Sequence, residues 1–488
     1  MAGMVLFATY AAAPGSPFQP VLPAGAGPSG PFRWLAVALG FDRLFGTWLV
    51  ATGVVVSAVC LGGFVLLLVE AWRGNLRVRT VLILVVVYNL ALLLLPLLFS
   101  RDVYSYAFYG RIAGVYHANP YVRTPVEFSS DSLWPLVGPK WVDTPAVYGP
   151  LWTGLSGLIA RVTHSTASMI AVYRWLAVAG SLATIALIRD TTRRVWPSRT
   201  AFALVAFGAN PVVLFHSVAS GHNDILLGLG IIGAFACLVR GRAMPAVAIL
   251  ALATLVKATA AVPLLMVLVW CIARAPREKR ARTALTHVGL AAVIGAAFAV
   301  PYLNSHDPTL GMLELAGHEG WLAPSAFLRQ LVDTISFGTL GWLVRIGFAL
   351  ALVVTLFLLA RDVARRANER SPRDLGAVMG WSLIAVMLLG PLLLPWYVTW
   401  ALPLAWLLPR APRISILGVG ICLAFAQWTT EALRYPGAFN VNLWFGHWIV
   451  VPIIVVLLIV TLFDLWHRLR TGLPLEDQEE VAESAGQH

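Results

Sequence analysis

Apolar runs long enough to cross a bilayer recur along almost the whole of this 488-residue chain. No other feature narrows its fold so far, because in hydrocarbon every backbone N–H and C=O must find a partner within the protein. Thirteen runs can be read, at 46–70, 81–99, 168–188, 201–215, 225–239, 243–256, 261–272, 284–300, 341–360, 375–394, 398–408, 414–427 and 448–465. They predict an all-α, polytopic integral membrane protein with about 13 transmembrane helices. Charged residues make up 12% of the chain, about half of what a soluble domain carries.

The arginines set the orientation. Seven short stretches, at 73–79, 189–199, 240–242, 274–282, 361–373, 410–413 and 468–470, hold 23 of the 35 lysines and arginines. By the positive-inside rule these face the cytoplasm. The net charge of +12 therefore needs no nucleic acid partner. Two long polar loops, 100–148 and 301–337, then fall on the extracytoplasmic side. The chain divides into an N-terminal arm (1–45), a membrane domain (46–466) and a cytoplasmic tail (467–488). In the arm, 1–13 is apolar but too short to span, and 14–31 is rich in Pro, Gly and Ala. No positive charge precedes Arg33, so it does not read as a signal peptide. It is either a loose extracytoplasmic arm or the remnant of an earlier helix. Cys60, Cys237, Cys271 and Cys422 lie in apolar runs without metal-like spacing and read as inert thiols.

Residues 100–121 read SRDVYSYAFYGRIAGVYHANPY and carry the candidate chemistry. On a helix, Asp102, Ser105, Tyr106 and Tyr109 share one face. A lone carboxylate flanked by rings suits a sugar, whose C–H faces stack on aromatics while its hydroxyls seek acceptors. Asp102 is thus a candidate general base for an acceptor hydroxyl; the plain alternative is an acid paired with Arg101. In YGPLW (148–152), Tyr148 and Trp152 form either a wall of the site or a simple loop-to-helix junction. In GHND (221–224), Asn223 or Asp224 can cap the next helix; otherwise His222, Asn223 and Asp224 contact substrate.

Runs 243–256 and 261–272 lie between two arginine loops and must go out and return. At about 12–14 residues each they reach roughly 20 Å, short of the roughly 30 Å apolar core. Lys257 at their apex therefore needs an anionic partner, or must snorkel. The phosphate of a lipid carrier fits, with Arg111 as a second candidate phosphate contact. Trp396 and Tyr397, in PWYVTWALP (395–403), are either interfacial belt residues or contacts to lipid or sugar. His306, Asp307, His318 and Glu319 in the second loop read as solvated.

Taken together, FSRDVYSY, ANPY, YGPLW, GHND, LVKATA and LPWYVTW, in that order between 99 and 403, resemble the C-type (GT-C) glycosyltransferases. The closer similarity is to actinobacterial polyprenol-phosphate-mannose-dependent α-1,6-mannosyltransferases that extend lipomannan cores. That resemblance implies a GT-C-like architecture, an inverting, metal-independent transfer without cofactor, and a catalytic acid in the first outer loop, where Asp102 lies. It further implies a polyprenyl-phosphate sugar donor, a glycan or glycolipid acceptor, and an active site on the extracytoplasmic side of the cell membrane. The rival readings are a lipid or glycolipid transporter, for which inverted repeats would be expected, and a non-catalytic glycan-binding membrane protein.

Overall fold

The computed structural model describes residues 2–23, 32–304, 309–426 and 435–478, and every regular element among them is helical. The thirteen apolar runs do not become thirteen long helices. Six helices are long and apolar enough to cross a membrane: Gly46–Trp72, Thr166–Val195, Arg277–Tyr302, Gly341–Arg365, Pro372–Leu389 and Pro436–Thr471. A seventh is counted if the pair Pro197–Gly208 and Val212–Val218, bent by 44°, forms one span.

The runs that fall short do so for identifiable reasons. In the run at 81–99 the helix Val78–Ala91 gives way to a 3-10 turn, and Leu95, before Pro96, is extended. Proline disfavours helical conformation in the residue before it. At 398–408 the chain forms two short 3-10 helices, Pro395–Trp400 and Leu402–Leu407, and every residue in them is buried. These residues are apolar because protein surrounds them, and composition alone does not distinguish that from lipid. The bend at Asn210–Pro211 follows from the missing proline N–H. Asn210 bridges the break: its Nδ2 donates to Ala206 O at 3.1 Å, and its Oδ1 accepts from Val212 N at 3.1 Å.

The N-terminal arm is not loose through residue 23. Its helix Ala2–Ala11 packs on Gly46–Trp72, where the Tyr10 hydroxyl donates to Leu49 O at 2.6 Å. Phe7 stacks on Phe215 with ring centroids 3.5 Å apart, and Phe18 is fully buried. Residues 24–31 of the Pro/Gly/Ala-rich stretch, and His306 and Asp307 of the second loop, lie outside the described residues. Glu319 is not solvated as expected: it accepts from Arg329 at 2.8 Å and from Arg345 at 2.5 Å.

Helix Asp102–Gly114 lies across Pro150–Val162 with glycines at the contact. A Cβ on Gly110 would stand 2.4 Å from Ser156 O, and one on Gly114 2.2 Å from Gly157 O. Small residues at such positions let two helix backbones touch. The arginine stretches gather at one end of the molecule: the guanidiniums of Arg199 and Arg413 lie 3.6 and 4.1 Å from the Trp72 ring centre. The helix Asp224–Val239 runs from the GHND motif to Arg240, so the motifs occupy the opposite end.

This polarity is testable with a membrane-impermeant maleimide on intact cells, in a variant lacking the four native cysteines. Ser130→Cys, in the first loop, should label, and Asn368→Cys, in an arginine stretch, only after permeabilisation. Equal labelling of both in intact cells would refute the arrangement.

Candidate active site

The site begins at a strained turn. Phe99 has a φ of 56°, in the left-handed region that side chains avoid. Its N–H donates to Phe18 O at 2.8 Å, and its ring stacks on His216 at 4.3 Å, which together hold the turn. The turn sets the Ser100 hydroxyl to accept from the Asp102 N–H at 3.0 Å, and Asp102 becomes the first residue of its helix. A carboxylate there is favoured by the helix dipole. Burial nonetheless pushes the Asp102 carboxyl up to about 6, while Ser100 and the Lys257 charge pull it down and the Asp224 charge raises it. The side chain keeps 18% of its surface exposed, and its Oδ2 lies 3.6 Å from His222 Nδ1.

The helical face read from the sequence is realised. Tyr106 reaches His222 Nδ1 at 3.3 Å and Asn223 Oδ1 at 3.5 Å, and the Tyr109 hydroxyl donates to Thr144 O at 2.9 Å. The rings differ from expectation in what they touch. Tyr106 makes edge contacts with Tyr148 at 4.7 Å and Trp152 at 5.2 Å, and all four aromatics are buried. They brace one another behind Asp102 instead of presenting open faces.

GHND turns at Gly221, whose φ is 70°. Neither Asn223 nor Asp224 caps the following helix through its side chain: Asn223 makes no cap bond, and Asp224 is the first helical residue. Asp224 points to the hairpin apex. Its Oδ1 accepts from Lys257 Nζ at 2.6 Å and from Trp400 Nε1 at 2.7 Å. The Lys257 ammonium also lies 4.4 Å from the Tyr397 ring centre and 5.2 Å from that of Trp400. The anion required at position 257 is thus supplied by the chain itself. His222 stacks on Trp396 at 3.8 Å, and burial holds its imidazole neutral, with Lys257 acting in the same direction. His222 Nε2 and Asn223 Nδ2 are buried without a hydrogen-bond partner among the described residues.

The apex is held in place by YGPLW. Gly149 N donates to Val256 O at 3.1 Å and Leu151 N to Leu255 O at 3.0 Å. A Cβ on Gly149 would stand 2.1 Å from Leu255 O, so only glycine permits this approach. ANPY braces the same turn, the Tyr121 hydroxyl donating to Tyr148 O at 2.6 Å.

Arg111 stands apart from this group. Its Nε donates to Asp131 Oδ2 at 2.6 Å, and the Tyr116 hydroxyl reaches the same oxygen at 2.6 Å. With its charge met by a buried carboxylate, it braces the loop. Sequence reading missed Trp400, Ser100 and Asp131. Trp400 stood within a recognised motif, four residues beyond Trp396; Asp131, in an aperiodic loop, gave no signal.

A family model described as alpha-(1->6)-mannopyranosyltransferase, N-terminal domain, matches residues 2–274. The chain is 27% identical over 434 residues to alpha-(1->6)-mannopyranosyltransferase A of Mycobacterium tuberculosis, covering 81% of this chain and 79% of that protein. It is 30% identical over 186 residues to the protein of the same name from Corynebacterium glutamicum, covering 36% of this chain and 37% of that one. No solved structure matches.

The Asp224–Lys257 pair has a consequence for stability. Removing one member of a buried pair strands the other's charge, at about 3–5 kcal/mol, whereas removing both is often nearly neutral. Lys257→Met should therefore lower the melting temperature of the purified protein, and Asp224→Leu in the same chain should restore most of the loss. If Lys257→Met melts like wild type, the pair does not hold the hairpin apex.

Proposed function

The chain belongs to the alpha-(1->6)-mannopyranosyltransferase family, so it is a glycosyltransferase, and we propose that it moves mannose from a polyprenyl phosphate to a hydroxyl of an extracytoplasmic glycan or glycolipid. The observation that carries this reading is Asp102: a partly exposed carboxylate raised to about 6, beside a neutral His222 and within electrostatic reach of Lys257. A base of that strength is poised to take a proton near neutral pH. Family membership sets the transporter reading aside.

In the proposed reaction the acceptor oxygen attacks the anomeric carbon from the face opposite the phosphate. As the new C–O bond forms, Asp102 takes the hydroxyl proton. The bond from the anomeric carbon to the phosphate oxygen breaks, and polyprenyl phosphate leaves with its electron pair. The configuration inverts. Lys257 stabilises the charge that grows on the leaving phosphate. Its ammonium has three N–H groups; Asp224 accepts from one and keeps the group at the apex. His222 and Asn223 are buried against Tyr106, and His222 Nδ1 lies 3.6 Å from Asp102, so their part in the reaction is to position the base.

Transfer of radiolabelled mannose from polyprenyl phosphate to a mannan oligosaccharide tests this. Asp102→Asn preserves size but cannot take the proton, so turnover should fall about a hundredfold or more, with melting temperature nearly unchanged. The pH profile gives the sign. Asp102 acts when ionised, so the wild-type rate should fall about tenfold per pH unit below about 6 and level off above it. The residual rate of Asp102→Asn should lack that limb. Wild-type turnover in Asp102→Asn would place the base elsewhere.

A further inference from the structure

We propose that a cavity at the arginine end of the molecule, opposite the Asp102 cluster, binds the phosphate headgroup of an anionic phospholipid. The cavity has a volume of about 820 Å³, and Arg73, Arg199, Arg410 and Arg413 line it. The proposed transfer uses none of these residues. They come from three separate stretches of chain, and cations gathered in this way repel one another unless an anion joins them.

The chain demonstrates that anion chemistry itself. Asp477 of the tail binds Arg413, and Arg199 lies 3.7 Å from the same oxygen. Trp72 fills the space between these two guanidiniums, which both lie against its ring. Arg73 and Arg410 are different, since both are exposed. Among the described residues Arg73 meets only Glu70, at 3.2 Å with both side chains well exposed to solvent, and such a pair contributes little. Arg410 has no ion-pair partner among the described residues. The helix Arg410–Phe425 also begins at this cavity, and the positive end of its dipole adds to the attraction for a phosphate.

What distinguishes a lipid from a free anion is the remaining wall. Leu68, Ile414 and Leu417 line the cavity, Leu68 on the long apolar helix Gly46–Trp72, and Ile414 is 50% exposed. A phosphate among the arginines would thus leave its acyl chains along an apolar surface continuous with the bilayer. A basic pocket between spans, at the face where arginines collect, is what anionic headgroups recognise.

The test is native mass spectrometry of the full chain released from detergent, titrated with phosphatidylglycerol or with phosphatidylcholine of matched chains. Wild type should retain one phosphatidylglycerol in preference to phosphatidylcholine. Arg73→Gln with Arg410→Gln should weaken that retention about thirtyfold, the usual worth of two arginines near anionic lipid, and leave phosphatidylcholine unaffected. Arg410→Lys, which keeps the charge, should retain most of it. Both positions are exposed, and an unchanged melting temperature would verify that the double variant folds. Equal retention of phosphatidylglycerol by wild type and the double variant would overturn the proposal. So would displacement of the lipid by millimolar inorganic phosphate, which would mark a site for a soluble anion. Lipid retention is read without any sugar transfer, so this result and that of the Asp102 assay stand independently.

Discussion

One ion pair organises the end of this molecule where the motifs meet. Lys257 sits at the tip of a hairpin whose arms, Ala243–Thr254 and Ala261–Arg274, have 12 and 14 residues. Arms of that length are shorter than the apolar thickness of a bilayer, so a lysine between them calls for an anionic partner. Asp224, from the start of another helix, meets it at 2.6 Å, and Trp400 from a third segment donates to the same oxygen. Three stretches far apart in sequence are thereby brought to one point. A buried pair of this kind adds little net stability over apolar packing. Its effect is to specify which segments meet.

Around that point the backbone does as much as the side chains. The Gly149–Leu151 turn bonds directly to the residues preceding Lys257, and the Leu255 carbonyl stands where a Cβ on Gly149 would be. The same turn carries Tyr148, which packs on Tyr106, one helical turn beyond Asp102. Position therefore passes from the hairpin to the YGPLW turn, to the aromatic cluster, and to the helix that bears the candidate base. The buried rings are the mechanical link between the cation and the carboxylate.

Much of this was legible in the sequence where the signal was local. Asp102, Ser105, Tyr106 and Tyr109 share a face if their segment is helical, as it is, and the short hairpin announced that Lys257 needs an anion. Partners were not legible when they lay far away. Asp224 is 33 residues from Lys257, Trp400 is 176 from Asp224, and no periodicity connects them. Arg111 looked available because Asp131 lies in a loop with no pattern. At 398–408 the expected span is not one long helix for a related reason: the run is as apolar as a membrane helix, yet it folds into short 3-10 turns that protein surrounds. Hydrophobicity records that water is excluded, not what excludes it.

The two acids near Lys257 show how one small region separates roles by environment alone. Asp224 is 1% exposed and takes two donors on one oxygen, so little of it is free to meet a substrate. Asp102 begins its helix with one side open and keeps 18% of its side chain exposed. The charge of Asp224 also raises the proton affinity of Asp102, which burial has already increased. Differences of burial and partner are how protein sites give one residue type different roles. On that reasoning Asp224 is the fixed acid of the two, and the strained turn at Phe99 presents Asp102, the base of the proposed reaction.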